Sequence, residues 1–509
     1  MASPSQSTPL SGPALLLAGL VLSITNFMVV LDLSIANVAV PHIAGSIGIS
    51  PTQGTWVITS YAVAEAICVP LTGWLAQRFG AVRTFVFAVI GFGIFSVLCG
   101  LSTSLTMLVL CRIGQGFCGG PLMPLSQTLL LRVFPKEKHG AAMGMWGMTT
   151  VVGPIAGPLL GGYISDNYSW HWIFFINIPV ALLCSMAAWR LLRKSETPAM
   201  KARIDRIGLA LLIIWVGALQ IMLDTGREHD WFGSPMIVAL AAIAAIFFVA
   251  FMIWELTEEH PIVDLRVFRH RGFSASVLAL GFAFGTFFAS VVVLPQWLQG
   301  SLGYTATWSG KTTAWIGMFA VILSPVVGRL APKVDARYLV CFGILWLGFA
   351  TSLRTFWTTG ADYWTLALPQ LLQGIGMPFF FVPLTILALA AVKVEETASA
   401  AGVMSFVRTL AGAVGTAIAS TIWQNRAQME RSELSGLLHA GQEVPAALAA
   451  RGFTQEQSRA LIERLVDQES ITLATTYIFA LASAIFMIAA MLIWLVPRPR
   501  RAVDTSAAH

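Results

Sequence analysis

Asp32, Glu65, Arg112 and Arg408 each sit inside a long apolar run of the 509-residue sequence. A charge at the centre of a bilayer costs at least about 2.5 to 3.5 kcal/mol on insertion scales, so such groups are expected to face the interior of a helix bundle and to have a task there. A carboxylate can load and release a proton, whereas an arginine stays charged and acts as a fixed counter-charge. At a rise of about 1.5 Å per residue, Asp32 lies eight residues below the outer end of its helix and Arg112 six below that of its own, so the two fall at one level. The expectation is a charge pair across the N-terminal half, in which proton binding at Asp32 weakens the attraction and biases two access states. The rival reading is a fixed buried pair that specifies helix packing. Glu65 has three readings: a second proton site, a group that attracts cationic substrates, or a neutral acid hydrogen-bonded to a neighbouring helix. Arg408 requires carbonyls, water or an anionic substrate group around it. Lys311 and Arg354 fall near helix ends and are expected to snorkel to the interface.

The elements that carry these residues follow from composition. Apolar residues make up 56% of the chain and charged ones 11%, against roughly 25% charged in a soluble domain. Water cannot be the main solvent. With about 20 residues needed per crossing, the apolar runs predict spans at 14–40, 54–76, 84–102, 106–130, 141–163, 171–190, 207–223, 236–255, 273–298, 309–330, 338–357, 365–391, 398–422 and 472–496. The first has no preceding Lys or Arg and no small-residue cleavage site, so it is expected to stay as a helix rather than be removed as a signal peptide. An all-α membrane protein of 14 transmembrane helices results. With the N-terminus in the cytoplasm, 21 Lys and Arg fall inside and six outside. Five of those six lie in a long outer loop, so an N-in, C-in topology is expected. The basic residues are split among short loops, which argues against a nucleic-acid surface and for membrane orientation. The six cysteines stand singly in apolar stretches and read as small core residues.

Gly73-Trp74-Leu75-Ala76 matches Gly328-Arg329-Leu330-Ala331 after 255 residues. Gln115-Gly116 matches Gln373-Gly374 after 258, and Ala141-Ala142 matches Ala400-Ala401 after 259. A nearly constant offset predicts two parallel halves. The expected organisation is six plus two plus six: a six-helix bundle in 1–195, a linker with an extra two-helix hairpin in 196–270, a second six-helix bundle in 271–500 that includes a periplasmic loop at 424–471, and a cytoplasmic tail at 501–509. Within that loop, Thr454 and the residues after it read as a capped amphipathic helix. It would rest on the membrane, touch a partner, or pack as a solvated helix on its own protein.

Gly153, Gly157 and Gly161 recur every four residues in Gly153-Pro154-Ile155-Ala156-Gly157-Pro158-Leu159-Leu160-Gly161-Gly162, which gives one bare helix face for close packing. Pro154 and Pro158 remove backbone donors and favour a bend, so the segment suits a tight interface or a hinge. This run resembles the antiporter motif of major facilitator drug exporters. Asp32 lies in Leu31-Asp32-Leu33-Ser34-Ile35-Ala36-Asn37-Val38-Ala39-Val40-Pro41, which is similar to that family's helix 1 signature. The loop from Gly73 through Arg78 and Gly80 to Arg83 resembles its gating loop. Arg112-Ile113-Gly114-Gln115-Gly116 resembles its helix 4 arginine motif, which the family links to proton coupling. Trp170-His171-Trp172-Ile173-Phe174-Phe175-Ile176-Asn177-Ile178-Pro179 resembles the signature that opens helix 6.

The resemblance covers most of the N-terminal half and points to the fourteen-helix drug:proton antiporters of the major facilitator superfamily, of the EmrB type. It implies a proton-driven multidrug efflux pump of the bacterial inner membrane, with no cofactor beyond the proton gradient. It further implies hydrophobic drugs as substrates, and a periplasmic membrane-fusion adaptor and an outer-membrane channel as partners. Two positions depart from the pattern: Gln77 stands where the family's gating loop carries an acidic residue, and Glu65 lies outside the pattern. The 31 Phe, 17 Trp and 18 Met suit an adaptable apolar cavity, although most of them are expected to face lipid or other helices. Phe27, Asn37, Trp146, Trp315, Gln370 and Arg408 are the substrate-cavity expectations. A proton-coupled symporter or metabolite exporter of the same superfamily is the rival reading. No Ser/His/Asp set, metal cluster or phosphate loop suggests an enzyme.

Overall fold

A segment that crosses lipid must satisfy its backbone hydrogen bonds internally, so the apolar runs fold as helices. The computed structural model describes residues 12–497 apart from 55, 136–137, 200–204, 227–228, 260, 332, 394–395, 440–447 and 449–451, and among the described residues there is no strand. The first part of the bundle contains α1 (Pro13–Ile47), α2 (Trp56–Cys68), α3 (Thr72–Phe79), α4 (Ala81–Gly100), α5 (Leu105–Gly119), α6 (Leu122–Val133), α7 (His139–Asn167) and α8 (Asn177–Leu192). A hairpin of α9 (Arg206–Thr225) and α10 (Pro235–Thr257) follows. The remainder holds α11 (Arg271–Gly300), α12 (Ala306–Leu330), α13 (Ala336–Ser352), α14 (Tyr363–Ala390), α15 (Thr397–His439) and α16 (Gln455–Leu492).

Short polar residues set the helix starts by accepting from backbone amides that have no partner in the first turn. Ser104 accepts from Met107, Asp205 from Ile207 and Gly208, Thr305 from Trp308, and Asp362 from Thr365. Between α14 and α15, Glu396 accepts from Arg269 at 2.6 Å, from His270 at 2.9 Å and from the Lys393 amide at 3.2 Å. Burial alone would push its carboxyl up, but the Lys393 amide, His270 and Arg269 together hold it below the usual glutamate range.

Twelve described helical segments are long and apolar enough to cross a membrane, and α2 with α3 makes a thirteenth, bent by 59° at the break around Pro70. This falls short of the fourteen spans expected. The remaining segment, α7, is 29 residues long, but its glycines and two prolines dilute the apolar content that marks the others. The segment 424–471 is also not a loop carrying a separate surface helix. α15 runs unbroken for 43 residues to His439, and the helix capped by Thr454 continues through the last span as the 38-residue α16. At about 1.5 Å per residue these are rods of roughly 64 and 57 Å, about twice the hydrocarbon thickness. Outside the apolar zone Arg431 ties them together through Glu463 at 3.0 Å and Asp467 at 2.9 Å.

The helices before the hairpin meet those after it along two seams: α7 packs on α12 and α14, while α15 packs on α3 and α6. The hairpin helix α9 lies against α2 and touches α15. Glycines permit the closest approaches. A Cβ at either Gly140 of α7 or Gly328 of α12 would overlap the other's backbone, and one at Gly73 would stand 3.0 Å from the Cα of Ser399.

Candidate functional site

α1, α5 and α8 converge on Asp32. Its side chain is buried to 1% exposure and accepts three hydrogen bonds: from Arg112 Nη1 at 2.6 Å, Gln115 Nε2 at 2.9 Å and Asn177 Nδ2 at 2.7 Å. Arg112 and Gln115 are three residues apart on α5 and so share one face. Gly116, the next residue, lets α5 press against the Tyr61 carbonyl of α2, where a Cβ would collide. Asn177 is held in turn by Ser96 Oγ at 3.1 Å. Arg112 also donates to the Val57 carbonyl at 3.0 Å and to Gln115 Oε1 at 2.8 Å, and lies 4.2 Å over the Tyr61 ring and 5.6 Å over the Phe174 ring. Removing one partner of such a buried pair typically costs about 3–5 kcal/mol, because the other is left charged without compensation. Besides Asp32, the arginine has a carbonyl, an amide oxygen and two ring faces around it, while its Nη2 has no partner among the described residues.

A second group of charges occupies the centre. Arg408 of α15 is 4% exposed and lies 5.5 Å from the ring centroid of Phe284, 5.8 Å from Trp146 and 5.9 Å from Phe381. Trp146 stacks on Phe381 at 5.7 Å and is fixed by donating to Ser126 Oγ at 2.8 Å. A guanidinium ringed by π faces is a favourable cation–π arrangement. Glu65 of α2, 7% exposed, lies within electrostatic reach of Arg408 and Arg112. These residues come from both sides of the hairpin and from both seams.

The third cluster was not expected. Arg354, assigned from sequence to a helix end with a snorkelling side chain, is 1% exposed. It lies in the turn Leu353–Phe356 that follows α13, under the rings of Phe479 at 5.2 Å and Trp357 at 5.9 Å, which close off the route to the surface. Its guanidinium donates to Gln370 Oε1 at 2.8 Å and to Gln373 Oε1. Arg354 Nε and the amide nitrogens of both glutamines have no partner among the described residues, and each buried donor left so costs about 1–3 kcal/mol.

The remaining sequence expectations fall as follows. Gly153, Gly157 and Gly161 of α7 face α1, where added Cβ atoms would press on Val30, Ser34 and Ile35. Gly162 beside them is buried. Pro154 and Pro158 point the other way, onto a cavity shared with α11, α12 and α14. Gly80 takes a left-handed φ of 92° at the α3–α4 turn. There Arg78 and Arg83 line an apolar groove of about 580 Å³ on the outside of the bundle, and Arg83 reaches Glu196 at 4.0 Å. Of the substrate-cavity residues, Trp146 and Arg408 come together, Gln370 joins Arg354, and Phe27 is half-buried on α1. Asn37 is exposed on α1. Trp315 donates to the Tyr363 hydroxyl at 2.9 Å. Sequence reasoning missed Asn177 as a ligand of Asp32, although it is the polar residue in the signature opening helix 6. It also missed Asn26, which donates to Thr149 and Thr150 of α7 at 3.0 and 2.9 Å.

Comparison with known proteins agrees with this geometry. The family model of the Major Facilitator Superfamily matches residues 22–416. The multidrug export protein EmrB of Escherichia coli K12 is 44% identical over 97% of this chain and 98% of its own length. EmrB of Haemophilus influenzae is 41% identical over 96% and 97%. Among solved structures, the human organic anion transporter MFSD10 superposes with a TM-score of 0.59 at 15% identity, covering 95% of this chain and 100% of that one. The proton:xylose symporter XylE superposes with a TM-score of 0.59 at 14% identity, covering 95% and 96%. The structural likenesses speak for the fold alone. With the helical bundle, its two seams and these matches in place, the chain belongs to the major facilitator superfamily, as an EmrB-type multi-pass transporter of the inner membrane.

Proposed function

We propose that this protein exports hydrophobic and amphipathic drugs in exchange for protons, with Asp32 as the proton carrier and Arg112 as its fixed counter-charge. The observation that carries the reading is the buried Asp32 network, in which a single carboxylate is shared by Arg112, Gln115 and Asn177 across three helices. A proton arriving on Asp32 removes the charge that draws α1 to α5. Arg112 then falls back on the Val57 carbonyl and on Gln115. The α1–α5 attachment thus has two strengths, and a substrate with different affinity for the two resulting arrangements couples to the proton. Trp146, Phe284 and Phe381 supply apolar and π surface for substrate, with Arg408 and Glu65 as the charges facing it. Gly140 of α7 against Gly328 of α12 and Gly73 of α3 against Ser399 of α15 are the close contacts of the moving seams, while the glycine face of α7 carries α1 with it and Arg78, Gly80 and Arg83 flank the Gly73 end.

The two EmrB relatives are named as multidrug export proteins, and this supports the same substrate class here. The long rods of α15 and α16 support a further part of the proposal, that the pump engages a periplasmic adaptor and through it an outer-membrane channel.

The test uses everted vesicles with an acidified lumen and a pH-sensitive dye. Addition of a hydrophobic drug is expected to release lumenal protons, and the Asp32→Asn protein, inserted at normal levels, is expected to release none. Drug movement without proton release, or movement of proton and drug in one direction, would overturn antiport. Export measured from whole cells with and without a co-expressed adaptor tests the partner separately.

A further inference from the structure

The Arg354 cluster has the composition of a receptor for a negative group. Arginine has only donors, so Gln370 and Gln373 must turn their oxygens toward it, and both hydrogen bonds do so. That orientation leaves both glutamine amide nitrogens and Arg354 Nε as donors without acceptors among the described residues. No carboxylate of a described residue pairs with this arginine. Arg354, Gln370 and Gln373 together line a cavity of about 80 Å³. A water occupies about 30 Å³ of liquid, so the space is large enough for a carboxylate head group.

Apart from Ser290 and Thr313, the rest of the wall is apolar and comes from both sides of the hairpin, with Phe287 and Leu294 on α11 and Pro154 and Pro158 on α7. Because α7 and α11 lie on opposite sides of a seam, parting of that seam extends the pocket along an apolar surface. A polar end with surplus donors and a charge, continued by an apolar wall, complements an apolar acid.

We infer that Arg354, Gln370 and Gln373 bind the carboxylate of an amphipathic monocarboxylic acid. This deepens, and rests on, the export reading by naming one substrate class and the residues that select it. The site is distinct from the aromatic ring around Arg408, where Glu65 already supplies a negative charge within reach.

The test is equilibrium binding of radiolabelled decanoate to the purified full-length protein in detergent. Wild type is expected to bind it saturably, with displacement by unlabelled decanoate and no displacement by methyl decanoate or by an equal concentration of chloride. Arg354→Gln is expected to weaken binding at least about tenfold, as loss of a charged hydrogen-bonding partner implies, while Arg354→Lys recovers most of it. Equal competition by the ester would show plain apolar binding, and equal competition by chloride an inorganic anion site; either result overturns the inference without requiring any variant to fold. Export of a neutral compound without decanoate binding removes this inference alone, whereas absence of export of every compound removes the wider reading.

Discussion

Arg112 and Arg354 are both buried, each lies over two aromatic rings, and each bonds to one of a pair of glutamines, Gln115 or Gln373, that correspond between the two halves of the sequence. The offset of 258 that joins Gln115 to Gln373 also brings Asp32 onto Ser290, Arg112 onto Gln370 and Ser96 onto Arg354. The scaffold is shared and the charges are placed differently. Gly116 and Gly374 illustrate that scaffold: each admits a backbone carbonyl of the partner helix, Tyr61 in one half and Ile316 in the other. In the N-terminal half the cation has an internal carboxylate, which suits a proton as the only mobile partner. In the C-terminal half it has amides alone, which suits an external anion.

The largest expected effect comes from erasing the carboxylate that separates the two sites. Asp32→Asn leaves no group at this position to carry a proton and should abolish proton-driven export with insertion at normal levels, as read by drug efflux in everted vesicles. Next is the packing on which the first site stands. Gly157→Val should drive a side chain into Ser34 on α1, destabilising the protein by about 1–3 kcal/mol as overpacking does, measured by thermal unfolding in detergent. The comparison can also be reversed: Ser290→Asp gives the second half the carboxylate it lacks and should lower decanoate binding about tenfold by supplying Arg354 with an internal partner. If binding is unaffected, the two sites are not counterparts. The smallest effect belongs to an interfacial cluster with neither role. Glu396→Gln should cost less than about 1 kcal/mol, and its sign with pH is fixed. A carboxyl held below its ordinary range contributes above about pH 4.5, its value when unfolded, and loses that contribution as the pH falls through its folded value. Unfolding midpoints of the two proteins should therefore converge in acid.

The helical class was legible because apolar runs are local signals. Asp32 and Arg112 were legible as a pair because depth along a helix follows from counting residues, and both helices start near a polar break. Arg354 was not: distance from a helix end says nothing about whether another helix covers that end, and Phe479, from α16, does so. The rods of α15 and α16 were missed for a different reason. Hydropathy finds where a helix is apolar, not where it stops, and Arg426, Arg431 and Glu463 continue the same helices in polar surroundings.

Those rods act as a lever. Each extends about as far beyond the hydrocarbon as it runs within it, and the two pack on each other and are joined further out by the Arg431 clamp. A small tilt of α15 against the α3 and α6 seam is therefore magnified at the far tip, where a few degrees become several ångströms of travel. Under the proposed function, a partner docked there would receive the transporter's conformation as displacement, with no need to contact the Asp32 network.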